Sequence, residues 1–150
     1  MKRIAIAATF GFAALLSGCA LSSTPVSFAE SKAVPASMVV AFQKPTATDA
    51  IPILLKRDAG TATVCRFQVS IDGTKSLFIG PAEKTTLFLS PGQHVITVEP
   101  VSTDTLMPGV MSCHRSPREF PMAVDQHGLN RFRFSTDDNN EMSFAPTATD

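Results

Sequence analysis

The chain contains no tryptophan and no tyrosine; its aromatic content is eleven phenylalanines. Phenylalanine has no polar tip, so these rings read as core filler rather than the amphipathic anchors enriched at recognition surfaces. Net charge is missing too, with thirteen basic residues against thirteen acidic ones. No basic stripe or cluster is present, which excludes a nucleic-acid footprint. No apolar run reaches the roughly 20 residues that a membrane-spanning helix needs. There is no G-x-S-x-G elbow and no C-x-x-C pair, so two common catalytic or redox signatures are gone. Cysteine is scarce, three residues in all, and the position of those three organises what remains.

Lys2 and Arg3 precede Ile4 to Leu16, an uncharged run with the length of a signal-peptide apolar region. The run ends in Leu16-Ser17-Gly18-Cys19, which resembles the lipobox of bacterial lipoproteins. In that pathway the cysteine thiol is alkylated by a diacylglyceryl group and the chain is cut between Gly18 and Cys19. Small residues let the backbone beside the thiol fit the enzyme, and a branched apolar residue three positions back completes the pattern. The alternatives are an ordinary secretory signal and a buried core helix. Two or three acyl chains, palmitate among them, hold a protein firmly, because each buried methylene contributes about 0.8 kcal/mol. Ala20 stands where an aspartate tends to retain such proteins at the inner membrane. The expected location is therefore the periplasmic face of the outer membrane, reached by a lipid anchor.

This reading divides the chain into a signal peptide over residues 1–18, a lipidated cysteine and flexible tether over 19–36, a β domain over 37–146 and a disordered tail over 147–150. Loss of Lys2 and Arg3 leaves the mature chain slightly acidic. The segment Ala20 to Pro35 is rich in Ser, Ala and Pro; as a free chain it would hold the domain about 20 Å from the bilayer. Phe28 and Val34 are its residues able to dock on the domain. With Cys19 consumed by lipid, Cys65 and Cys113 remain in an oxidising compartment, where two cysteines allow one intramolecular pairing. A loop of that length stabilises a fold by about 4 kcal/mol in the chain-entropy model. The competing roles are a redox-active or metal-binding thiol, and Cys113-His114 alone makes no metal constellation.

From Ser37 onward the signals are those of strands. Met38 to Phe42 is a short apolar run stopped by Lys44-Pro45. Ala50 to Lys56 carries Ile51, Ile53, Leu54 and Leu55, with Pro52 arguing for an edge position or a late start. Arg57-Asp58-Ala59-Gly60 reads as a turn or loop. Cys65, Phe67, Val69 and Ile71 then alternate with Arg66, Gln68 and Ser70, predicting a half-buried strand. Asp72-Gly73 is a strong turn signal. Ser76 to Ile79, Lys84 to Leu89, His94 to Val98, Arg118 to Val124, Arg131 to Phe134 and Met142 to Phe144 follow as further strands, while Ser102 to Pro117 reads as a long loop pinned by Cys113. Short strands separated by Gly and Pro predict an all-β fold, a small antiparallel β-sandwich, immunoglobulin-like or related. No amphipathic helix is expected in the mature chain.

The order VPASMVVAFQKP, ILLKRDAG, VCRFQVSIDG, EKTTLFLSPGQHVITV and a later lone cysteine resembles a family of small uncharacterised proteobacterial outer-membrane lipoproteins. The resemblance runs from Val34 to about Phe134 and rests on Arg57-Asp58-Ala59-Gly60, Asp72-Gly73, Pro91-Gly92 and the cysteine pair. It implies a small β-sandwich with one disulfide and no described activity. The chain departs from the pattern at Gly60-Thr61-Ala62-Thr63, where a Gly-rich approach to the cysteine is expected.

Candidate chemistry is sparse. Enzyme action requires two of His94, His114 and His127 to converge with an acid; dispersed as they are, they read as surface or structural residues, with no catalytic, metal or cofactor site assigned. His127, ahead of Gly128, is placed in a hairpin turn. Asp137 to Glu141 superficially resembles a calcium loop but lacks its central glycine and spaced bidentate glutamate, so a polar turn explains it. Arg57 and Asp58 are the residues able to face a partner, against an internal pair or a loop capped by the Asp side chain. Arg131 and Arg133 share a strand face that is either solvated or turned to anionic lipid or an acidic partner. The expected function is a non-catalytic accessory or structural subunit of an envelope assembly, with a periplasmic small-ligand or inhibitor-binding module as the alternative. A strand edge at Pro52 would offer β-augmentation to a partner.

Overall fold

The computed structural model describes residues 22–60, 65–101, 113, 116–139 and 141–148. In chain order the strands are β1 (Ser23–Thr24), β2 (Lys32–Ala33), β3 (Ile51–Arg57), β4 (Ala59–Gly60), β5 (Arg66–Ile71), β6 (Thr74–Ile79), β7 (Glu83–Leu89), β8 (Gly92–Val101), β9 (Arg118–Val124), β10 (Arg131–Thr136) and β11 (Met142–Pro146). One sheet has the order β11-β10-β3-β7-β2 and the other β6-β5-β8-β9, while β1 and β4 form a small ladder of their own. The two large sheets enclose one apolar core, to which Ile53 and Leu55 of β3, Phe67, Val69 and Ile71 of β5 and Ile96 and Val98 of β8 contribute. The fold is an all-β sandwich with one disulfide.

Alternation in the sequence decides which side of each strand is buried. Along β5 the pattern is strict: Phe67, Val69 and Ile71 are buried while Arg66, Gln68 and Ser70 are half-buried. Asp72 (φ 49°) and Gly73 (φ 76°) both take left-handed backbone. That is the geometry of a tight hairpin turn whose twist matches its strands, and it joins β5 to β6. Ser90-Pro91 does something different: it carries the chain from β7 in one sheet to β8 in the other. Cys65, just ahead of β5, is bonded to Cys113 with a Cα–Cα distance of 5.7 Å.

Several local expectations are corrected. The apolar run Met38 to Phe42 is not a strand; Ala36–Met38 is a 3-10 turn and Val39 makes a single bridge to Leu77. Burial explains the run, since Val39 is in the core with Met38 and Phe42 packed against it. Strand β3 is central rather than at an edge. Pro52 is nevertheless accommodated, because β10 begins to pair with β3 only at Leu54, so no donor is needed beside Pro52 on that side. β-Augmentation at Pro52 therefore has no open edge along the rest of β3. The large sheet is also mixed, with β10 parallel to β3 and β2 parallel to β7. The loop holding His127 links β9 and β10, which belong to different sheets, so it is no hairpin turn.

The domain also begins earlier and ends later than expected. Ser23 and Thr24 pair with Gly60 and Ala59, and Phe28 and Val34 are buried. From Ser22 on, the segment is thus a strap on the sandwich and not a free tether. At the other end Thr147 donates its N–H to the Arg131 carbonyl at 2.9 Å.

Candidate functional site

Three consecutive polar residues, Lys56, Arg57 and Asp58, are all at most 3% exposed. Strand alternation sends them to opposite sides of the sheet. Arg57 points into the sandwich, where its guanidinium lies 3.6 Å from the Phe67 ring centroid and donates to the Cys65 carbonyl at 2.7 Å and the Ile79 carbonyl at 3.3 Å. Desolvation brings its pKa down to about 10, with Glu83 opposing the shift. The partner-facing reading of Arg57 and Asp58 therefore does not hold, since neither side chain is at the surface.

Lys56 and Asp58 take the outer face of the five-stranded sheet. In register beside them, Arg133 is paired with Lys56 from β10 and Lys84 from β7. The strap crosses this face, and the cations hold it. Lys56 Nζ donates to the Val26 carbonyl and Lys84 Nζ to the Phe28 carbonyl. The Phe28 ring lies 5.0 Å from Lys56 Nζ and 5.7 Å from the Arg131 guanidinium, cation–π contacts worth about 0.5–2 kcal/mol each. Ser23 closes the strap onto β10 reciprocally: its Oγ donates to the Thr136 carbonyl at 3.0 Å and accepts the Thr136 N–H at 2.9 Å.

Between the strap and the β10–β11 hairpin lies a cavity of about 460 Å³. Asp58 and Arg133 are part of its lining, Ser22 and Ser23 form its strap side, and Asp137 and Asp138 stand on the hairpin side. The Asp58 side chain is 1% exposed, and its Oδ2 lies 3.8 Å from Arg133 Nη1. Its Oδ1 is buried and has no hydrogen-bond partner among the described residues. An unsatisfied buried acceptor of this kind costs about 1–3 kcal/mol. The Asp137 carboxyl is occupied, for its Oδ1 accepts N–H groups of Asn139 at 3.0 Å and Glu141 at 2.8 Å. That is the polar turn expected there. Among the described residues no three metal-ligating side chains come together.

The histidines lie elsewhere. His94 Nδ1 is 2.6 Å from Asp72 Oδ2 and its Nε2 is 2.9 Å from the Ser90 carbonyl oxygen. Both ring nitrogens thus face acceptors, which favours the doubly protonated imidazolium. Burial alone would lower the pKa, but the bonds to Asp72 and Ser90 outweigh it and the net shift is upward. Ser90 presents its carbonyl to the ring while its hydroxyl turns to Asp49 Oδ1 at 3.3 Å, so the Ser90 hydroxyl does not address the imidazole. His127 is exposed in its loop; His114, Gly18 and Cys19 lie outside the described residues.

A pH dependence follows from His94. A base whose folded pKa is raised adds stability that is complete below the unfolded value of 6.5 and fades as pH climbs through the folded pKa. The Asp72 pKa is lowered despite the opposing effect of burial, so its share fades as pH falls below the usual 3.8. With Asp72 half exposed, solvent screening limits the pair to about 0.5–1 kcal/mol. Urea unfolding at pH 6 and pH 9 is expected to show that difference in the native protein and lose it in His94→Ala. An unchanged difference in the variant would remove the pair from the account.

Asp58 was legible only as a loop residue, and Arg133 only as one of two cations on a strand face. What the sequence hid was the strap that covers both. Comparison of the chain with protein-family models, with curated proteins and with solved structures returns no match.

Proposed function

We propose that this chain is a lipoprotein of the small outer-membrane family that it resembles, acylated at Cys19 after cleavage behind Gly18 and held on the periplasmic face of the outer membrane. There it works as a non-catalytic accessory subunit of an envelope assembly. The observation that carries this reading is the Leu16-Ser17-Gly18-Cys19 motif behind a basic flank and an apolar run. The Cys65–Cys113 bond supports an oxidising compartment.

Cys19→Ala is expected to shift the protein from the outer-membrane fraction to the soluble periplasm and to abolish the acyl mass on the Cys19 peptide. A variant that stays with the membrane would overturn the anchor. Crosslinking in intact cells with mass spectrometry then tests the partner. One envelope complex, recovered with the native chain and lost with Cys19→Ala, is the expected result; recovery of abundant porins alone would sink the accessory role.

A further inference from the structure

We propose that the cavity above Asp58 binds a primary ammonium group that carries an anionic group beside it, the chemistry of an ethanolamine phosphate. The Asp58 Oδ1 is the starting point: a buried acceptor without a donor, in a residue that lines the cavity. Alternation along the strand places Asp58 on the outer face with Lys56, the face on which the strap lies and the cavity opens. A group able to fill this site must donate hydrogen bonds. A metal ion is a poor fit, because no three ligating side chains converge among the described residues. A primary ammonium has three N–H donors, one of which can be given to Asp58 Oδ1. Asp137 and Asp138 beside the cavity add negative potential for a cation.

The anionic half of the ligand is read from Arg133. Its guanidinium is 3.8 Å from Asp58 Oδ2, beyond hydrogen-bond distance, and its side chain is 35% exposed. The planar fork is therefore placed to meet a phosphate or carboxylate at the cavity mouth while the ammonium goes to the floor. A quaternary amine would fail, since it offers no N–H to Asp58. Two sources share the required chemistry: the headgroup of a phosphatidylethanolamine in the membrane, and a free small zwitterion. The first rests on the reading of Cys19 as the acylated residue. Ser22 lines the cavity and stands three positions beyond Cys19. At about 3.3–3.6 Å per residue, that is an extended reach of about 10 Å, so an acylated Cys19 would keep the cavity at headgroup depth.

The test is a titration of the purified full chain in detergent, followed by amide chemical shifts of Ser135, Asp137 and Ser143. Phosphoethanolamine is expected to shift them saturably, with phosphocholine and inorganic phosphate at least tenfold weaker. Asp58→Asn is expected to weaken phosphoethanolamine at least tenfold. Arg133→Gln, at a half-exposed position, is expected to weaken phosphoethanolamine more than ethanolamine, with native-like amide shifts of the unliganded variant showing that it is folded. Absence of a saturable response in the native chain, or a native-like affinity for phosphoethanolamine in both variants, would overturn the site. Nanodiscs then separate the sources: shifts with phosphatidylethanolamine and not phosphatidylcholine discs assign the lipid, whereas a response confined to the soluble compound assigns a free zwitterion. Missing acyl mass on Cys19 would defeat the anchor and leave the soluble titration intact, so the two failures are distinguishable.

Discussion

Replacing Cys65 and Cys113 together by alanine is expected to lower the unfolding free energy by about 4 kcal/mol and the Tm by roughly 10–20 °C. The cysteines are 48 positions apart, and both are buried. Without the bond, the unfolded chain regains the freedom of that loop, which is the main source of the loss. The bond also ties Cys113, in a stretch with few described residues, to the start of β5, the strand that lies inside its sheet between β6 and β8. The buried Arg57 guanidinium donates to the Cys65 carbonyl at 2.7 Å, so any shift of Cys65 disturbs that contact as well. Thermal unfolding with and without reductant, beside the double alanine variant, measures the effect. Reduction and substitution should agree; a change under 1 kcal/mol in both would show that the fold does not depend on the closed loop.

How much of this was legible in the sequence depends on whether the determining contacts are local. Alternation from Cys65 to Ile71 and from Arg131 to Phe134 is a property of the strand itself, so buried and outer faces were readable. Asp72-Gly73 was readable because a tight turn requires left-handed backbone at those two residues. Met38 to Phe42 misled because an apolar run records burial, and here Val39, just after a 3-10 turn, enters the core with Met38 and Phe42 packed against it without the run forming a strand. The rank of β3 in its sheet was not readable either. It depends on β10, some 80 positions away along the chain, arriving alongside it in parallel.

The candidate site shows the same division. Arg131 and Arg133 are visible in the sequence as cations on one strand face, yet nothing local says what they or Lys56 hold. The strap supplies carbonyl oxygens and the Phe28 ring to that face, and its Ser-, Ala- and Pro-rich composition is that of a linker. Composition of that kind lowers the expectation of structure without forbidding a docked strap when cations await its carbonyls. Asp58 was misplaced for a related reason. Arg-Asp-Ala-Gly has turn chemistry, but the strap covers the residue on one side and β10 lies alongside, so a loop-like motif is buried.

Phe134→Ala is expected to cost about 3–5 kcal/mol, the scale of removing a ring from a packed core. Phe134 is 1% exposed and joins the sheets: its ring meets Phe67 of the opposite sheet edge-on at 6.2 Å and Phe144 of β11 at 4.8 Å. Phe67 in turn carries the Arg57 guanidinium on its face. Loss of the Phe134 ring therefore opens a void whose lining includes a strand on each side, and neither sheet can close it without moving relative to the other. Phe134→Leu retains much of the volume and is expected to cost only about 1–1.5 kcal/mol. Urea unfolding should show the midpoint falling with the slope unchanged, which separates lost stability from a changed denatured state. Against a total stability of about 5–15 kcal/mol for a domain of this kind, the alanine variant is near the threshold when the disulfide is intact. In the cysteine-free background it is expected to be unfolded. Because Cys65 and Phe67 neighbour one another on the buried face of the same segment, the two losses should couple rather than add. A folded triple variant with native-like shifts would mean that the sheets are held together elsewhere.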